Sequence, residues 1–132
     1  MHIHDFGLGG QTATIKVPKH VIRGQSTFIQ TQDPGSGEIE IRVKALSQAV
    51  RDIGLPTMLH LNCEGCEWQL LEVALQEEYL QNIPVIQIGW HNYGEHIGVR
   101  AWQLCDLRTR LSMTHRLVAG VAFGWDRWEK LY

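Results

Sequence analysis

Apolar and charged residues alternate through Ile39-Glu40-Ile41-Arg42-Val43, the period of two that marks a strand with one buried face. The period then lengthens. Leu46, Val50 and Ile53 recur at spacings of four and three, which predicts a helix closed by Gly54 and Pro56. Thr57 to Asn62 reads as a second strand, and Glu67 to Leu80 as a helix with Trp68, Leu71, Leu75 and Tyr79 along one face. The short apolar run Ile83 to Gly89 is expected to be a buried strand. Ala101, Leu104, Leu107 and Leu111 predict a helix from Gly98 to Met113. Leu117 to Trp125 is the last strand candidate, and Asp126 to Tyr132 reads as a polar tail carrying Trp128.

The front of the chain is less regular. His2 to Phe6 alternates weakly and stops at Gly7-Leu8-Gly9-Gly10, which predicts a short strand and then a turn. Thr12 to Val17 is β-prone and ends at Pro18. Gly24 to Gly37 is polar and contains Asp33-Pro34-Gly35-Ser36-Gly37, so it reads as an exposed connection. There is no repeat and no low-complexity tract.

Strands alternating with helices imply an α/β fold with a parallel or mostly parallel sheet. Ligands of such sheets bind outside the carboxyl ends of the strands. The residues there are Asn62-Cys63-Glu64-Gly65 and Gly89-Trp90-His91-Asn92-Tyr93, which this topology places on one sheet edge. Both stretches are rich in side chains able to do chemistry.

Composition narrows the classes. The 132 residues suit one domain, 1–132. An apolar share of 44% and a charged share of 20% are ordinary for a globular chain. Lys and Arg are scattered and the net charge is -2, so no nucleic-acid partner is expected. No apolar run approaches the roughly 20 residues that span a bilayer. Met1 to Asp5 lacks the regions of a signal peptide. Three cysteines, two of them three apart, do not form a secreted disulfide framework, and the reading leans to a reducing, cytoplasmic compartment. The chain opens directly in a strand-like segment, as an N-terminally truncated domain would.

At the junction Asn62 to Trp68, Gly65 sits where a sharp turn needs a permissive residue, flanked by Glu64 and Glu67. A carboxylate at Glu67 suits the first turn of a helix, so a well-capped loop with two solvated acids is one account of it. The other comes from a resemblance. Leu59-His60-Leu61-Asn62-Cys63-Glu64-Gly65-Cys66-Glu67-Trp68 resembles the Lys-x-Asp-x-Glu-Gly-x-Glu motif of FkbM-type S-adenosylmethionine-dependent methyltransferases. Glu64, Gly65 and Glu67 match in register, while His60 stands in place of Lys and Asn62 in place of Asp. Asn62 can orient a substrate but cannot accept a proton at neutral pH. His2 to Gly10 looks like the family's third strand and following turn, Val43 to Gly54 like the helix before the motif, and Val85 to His91 like the next strand. Thr114 to Leu117 and Phe123 to Trp128 look like the end of a subgroup whose motif reads Asn-Cys-Glu-Gly-Cys-Glu.

The resemblance implies a partial Rossmann-like sheet of class I methyltransferase type, with flanking helices and without its first strands. It implies S-adenosylmethionine as cofactor and methyl transfer to an oxygen of a small-molecule or glycan acceptor. Glu64 and His91 are then expected near the acceptor, with Asn62 and His60 orienting it. Gly7-Leu8-Gly9-Gly10 is the one Gly-rich turn, but no apolar helical run follows it, so it is not read as the cofactor loop. A non-catalytic binding or remnant module of the same fold is the alternative.

The cysteines open two further readings. Cys63-Glu64-Gly65-Cys66 between a strand and a helix is where a redox pair would sit, with the helix N-terminus lowering a thiol pKa. The bland version is two small, semi-buried free cysteines. His60, Cys63 and Cys66, closed by His91, would offer zinc four acceptable ligands, although strand, turn and helix do not resemble a zinc knuckle. His2-Ile3-His4 is weaker still. Trp102, Trp125 and Trp128 are expected to pack.

Overall fold

The computed structural model describes residues 3–18, 38–63, 65–91, 101–122 and 124–132. They form a mixed α/β structure with two small sheets and three helices.

The first sheet contains β1 (Gly7–Gly9), β2 (Ala13–Pro18) and β3 (Glu38–Ala45), in the order β1-β3-β2. β3 follows its period of two, with Glu38, Glu40 and Arg42 outward and Ile39, Ile41 and Val43 half-buried. β2 lies antiparallel to it, Ile15 opposite Ile41. β1 lies parallel to it, Gly7 opposite Val43 and Gly9 opposite Ala45. The expected order at the front is thereby corrected: the glycine segment is the strand, and residues 3–6 carry none. Those residues are held by side chains instead, through an Asp5–Arg42 ion pair and Lys44 over the Phe6 ring. His2 and the polar connection lie outside the described residues.

α1 (Leu46–Ile53) follows β3 directly and buries Leu46, Ser47 and Ala49. The Gly54 N–H closes it on the Val50 carbonyl at 2.9 Å.

The second sheet holds β4 (Met58–Leu61), β5 (Val85–Gly89), β6 (His115–Gly120) and β7 (Trp125–Lys130), in the order β4-β5-β7-β6. β4 and β5 are parallel, and β7 is antiparallel to both β5 and β6. β6 therefore runs the same way as β4 and β5, with β7 turned against all three. α2 (Cys66–Gln76) and α3 (Ala101–Leu111) connect the parallel strands. α2 ends sooner than its apolar spacing predicts. Glu78 takes a positive φ of 59°, and a short 3-10 turn, Leu80–Asn82, tucks Leu80 and Ile83 into the core.

The supposed polar tail is β7, inside the sheet. Asp126 and Trp128 face the core while Trp125 and Arg127 face out. The sequence hides this because a carboxylate occupies a core position. Arg108 of α3 neutralises it with two bonds, Nε to Oδ2 at 2.8 Å and Nη2 to Oδ1 at 2.6 Å, and the Trp128 indole adds a third at 3.3 Å.

One core results. Leu59 and Leu61 of β4, Ile86 and Ile88 of β5 and Trp128 of β7 meet Leu70, Leu71 and Ala74 of α2 and Leu104, Leu107 and Leu111 of α3. Each such buried aliphatic side chain contributes about 1.5–3 kcal/mol, which fixes the two helices on one face of the sheet. Among the described residues, no helix is long and apolar enough to cross a membrane.

Candidate functional site

Leu61 of β4 pairs with Ile88 of β5, so the carboxyl ends of two parallel strands stop side by side. Asn62 follows the first, and Gly89 ends the second. The approach is close: a Cβ on Gly89 would lie 2.9 Å from Asn62 Oδ1 and 3.2 Å from the Trp125 ring.

The chain turns from β4 into α2 at Gly65, whose φ of 116° and ψ of -12° lie where L side chains are strained. Cys63 and Cys66 flank this turn and are joined as a disulfide, with Cα atoms 5.4 Å apart. The reading of two free thiols is thus corrected. Cys63 is half-buried and Cys66 buried.

Glu67 stands in the first turn of α2 with no solvent exposure, which corrects its reading as a solvated acid. Its Oε2 accepts the Gly65 N–H at 2.6 Å, and its Oε1 pairs with His91 Nδ1. A carboxylate only accepts, so Nδ1 carries the proton in this pair. The neighbouring Trp68 indole donates to the His91 carbonyl at 2.8 Å, so α2 grips His91 by both ring and backbone. Trp68 also packs against Trp90 with ring centroids 4.8 Å apart, and the Trp90 N–H reaches the Gly124 carbonyl at 2.8 Å. Among the described residues, the buried Trp90 indole nitrogen has no hydrogen-bond partner.

The carboxylate fixes the tautomer and orientation of the imidazole. Proton acceptance from a hydroxyl is the chemistry this pair can perform.

The expected site residues are placed as follows. His91 joins the cluster through Glu67, whereas Asn62 is exposed, its Oδ1 lying towards Gly89 on the side of Trp125. His60 stands apart on the open sheet face, its Nδ1 3.1 Å from Gln87 Oε1 and its ring stacked on Trp125 at 5.4 Å. Glu64, Asn92 and Tyr93 lie outside the described residues. The zinc tetrahedron through His60 is not assembled. The side chains that do gather are Cys63, Cys66 and Glu67, whose donor atoms lie within 4.8 Å of one another. Glu67, Trp68 and Trp90 were given no role in the site, although Trp90 stands in the expected edge stretch. Of these, Glu67 carried a signal, its register in the motif. Trp128 packs, whereas Trp102 and Trp125 are exposed.

No known family model matches the chain, and no curated protein and no solved structure matches it.

The one Gly-rich stretch among the described residues is occupied by its own packing. Gly7–Gly9 pairs as β1, and a Cβ on Gly10 would meet the Gln69 side chain of α2 at 2.9 Å and Val73 at 3.3 Å. That stretch therefore offers no open cradle for a cofactor.

Proposed function

We propose that these residues form the methyl-acceptor side of an FkbM-type O-methyltransferase fold, binding a hydroxylated small molecule or glycan. The observation that carries this reading is the Glu67–His91 pair, built across the carboxyl ends of β4 and β5. That is where ligands of parallel sheets bind. Two features support it further. β4, β5 and β6 run parallel with β7 antiparallel between β5 and β6, a mostly parallel sheet of the kind the resemblance implies. The Trp90 indole N–H, unpartnered among the described residues, is a buried donor that an oxygen ligand would satisfy.

In this reading His91, held by Glu67, takes the proton of the acceptor hydroxyl, and Asn62 orients the acceptor through its amide. Alignment of the hydroxyl supplies the rest of the protein's contribution. Methyl donation is assigned to none of the described residues.

The test is titration of the isotope-labelled chain with simple methyl glycosides, followed by NMR. Shifts are expected at the amides of Asn62, Gly89 and His91. Shifts confined to other regions, or none at saturating sugar, would refute the acceptor site. Calorimetry with S-adenosylmethionine is expected to give no binding tighter than about 10 μM, about 7 kcal/mol. Tighter binding would refute the division of roles.

A further inference from the structure

A Cys-x-x-Cys disulfide at the start of a helix is not required by the acceptor reading, and its surroundings differ at its two ends. Cys63 lies before the turn and is half-buried; Cys66 is the first residue of α2 and is buried. Cys63 Sγ lies 3.3 Å from Glu67 Oε2. We infer that Cys63–Cys66 is a redox-active disulfide that exchanges with dithiol substrates, independently of whether the acceptor reading holds.

Three physical points lead there. Bridging residues three apart closes a short loop and constrains the unfolded chain less than a long-range bridge would, so a purely structural role gains less from this bond. A helix N-terminus stabilises a thiolate, which makes Cys66 the better leaving sulfur. Exposure directs an incoming thiolate to Cys63.

The exchange balances as follows. One thiolate of the external dithiol attacks Cys63 Sγ. The bond between the two cysteines breaks, and its electron pair leaves on Cys66 Sγ at the N-terminus of α2. The second external thiolate then attacks the external sulfur of the mixed disulfide and releases Cys63. The dithiol is oxidised by two electrons to a disulfide, and the cysteine pair is reduced by two. The two protons given up by the dithiol go to the released sulfurs. The Cys63 thiol finds an acceptor already in place at Glu67.

The experiment uses the full chain carrying Cys105→Ser, which removes the exposed free cysteine. It is equilibrated in glutathione buffers of rising reduced-to-oxidised ratio, alkylated, and read by mass spectrometry. Complete and reversible conversion between disulfide and dithiol, with circular dichroism unchanged, is expected. Structural disulfides resist the glutathione pool. A bond that survives fully reduced glutathione in the folded chain overturns the inference, as does a reduced pair that will not reoxidise. Zinc found by elemental analysis on the reduced, alkylation-protected pair overturns it as well. The roles are tested separately on the oxidised chain. The mixed disulfide formed with reduced glutathione, trapped by acid quench and located by peptide mass mapping, is expected on Cys63. Glutathione found equally on both cysteines, or mainly on Cys66, overturns the assignment of the attacked sulfur.

Discussion

Replacing Glu67 by alanine removes both acceptors of a fully buried carboxylate. The Gly65 N–H loses its partner in a part-buried turn, and an unpaired donor there costs about 1–3 kcal/mol. The His91 side chain is 21% exposed, so water replaces much of what it loses. That part of the cost is discounted to under about 1 kcal/mol. Loss of the Cγ methylene and the carboxyl group leaves a void costing about 1–2 kcal/mol. Relief of the carboxylate's own desolvation works in the opposite direction. The expected loss is about 2–4 kcal/mol for Glu67→Ala. Glu67→Gln keeps the shape and one acceptor oxygen but exchanges charge-assisted bonds for neutral ones, so about 1–2 kcal/mol is expected. Urea unfolding at equilibrium, with the disulfide kept oxidised in every sample, measures both. A cost under about 1 kcal/mol for alanine, or a glutamine variant no more stable than the alanine variant, would refute the view that Glu67 ties the turn to His91.

Arg108→Ala strands the Asp126 carboxylate with the Trp128 indole as its remaining bond and is expected to cost about 3–5 kcal/mol. The Arg108→Ala/Asp126→Ala double variant is expected to cost less than the sum of the single variants in urea unfolding; strict additivity would show that the pair is not formed. Gly65→Ala forces a side chain onto a φ of 116° and is expected to lower stability by about 1–2 kcal/mol, read as a drop in Tm. The Asp52 carboxyl is held below the ordinary aspartate range by hydrogen bonds from Lys44 and then Gln48. Its folded pKa is depressed, so its contribution to stability is present above the unfolded pKa and is lost as pH falls through the folded one. Carboxyl-detected NMR should show the Asp52 midpoint move upward in Lys44→Ala, and no movement would disprove the cause.

The elements legible in the sequence are those whose burial follows one period without interruption. β3 shows its alternation openly, and α1 begins where the spacing changes from two to four. β7 has the same alternation, but its inward positions hold Asp126 and Trp128. Asp126 becomes a core residue only because Arg108, eighteen positions earlier, is brought opposite it. β1 escaped notice because glycines carry no pattern to read, and its pairing with β3 comes from a segment more than thirty residues away. The carboxyl edge was legible as a place, since alternating strands and helices imply it. Its partnerships were not. Glu67 stood in the motif, yet its contact with His91 depends on β4 and β5 lying side by side. His60 was rightly placed on one strand face with Asn62, but that face is the open one, where the sheet register gives it Gln87 and Trp125. Local sequence also does not encode whether two cysteines three apart are bonded.

The sheet order makes β6 dependent on β7. Among the described residues, the edge strand β6 has its ladder with β7, and β7 in turn is what reaches β5. However well α3 packs, residues 115–120 are hydrogen-bonded to the sheet through residues 125–130. Opening of the β5–β7 ladder therefore takes both strands off the sheet together. The two are accordingly expected to leave and rejoin the sheet as one unit in hydrogen exchange.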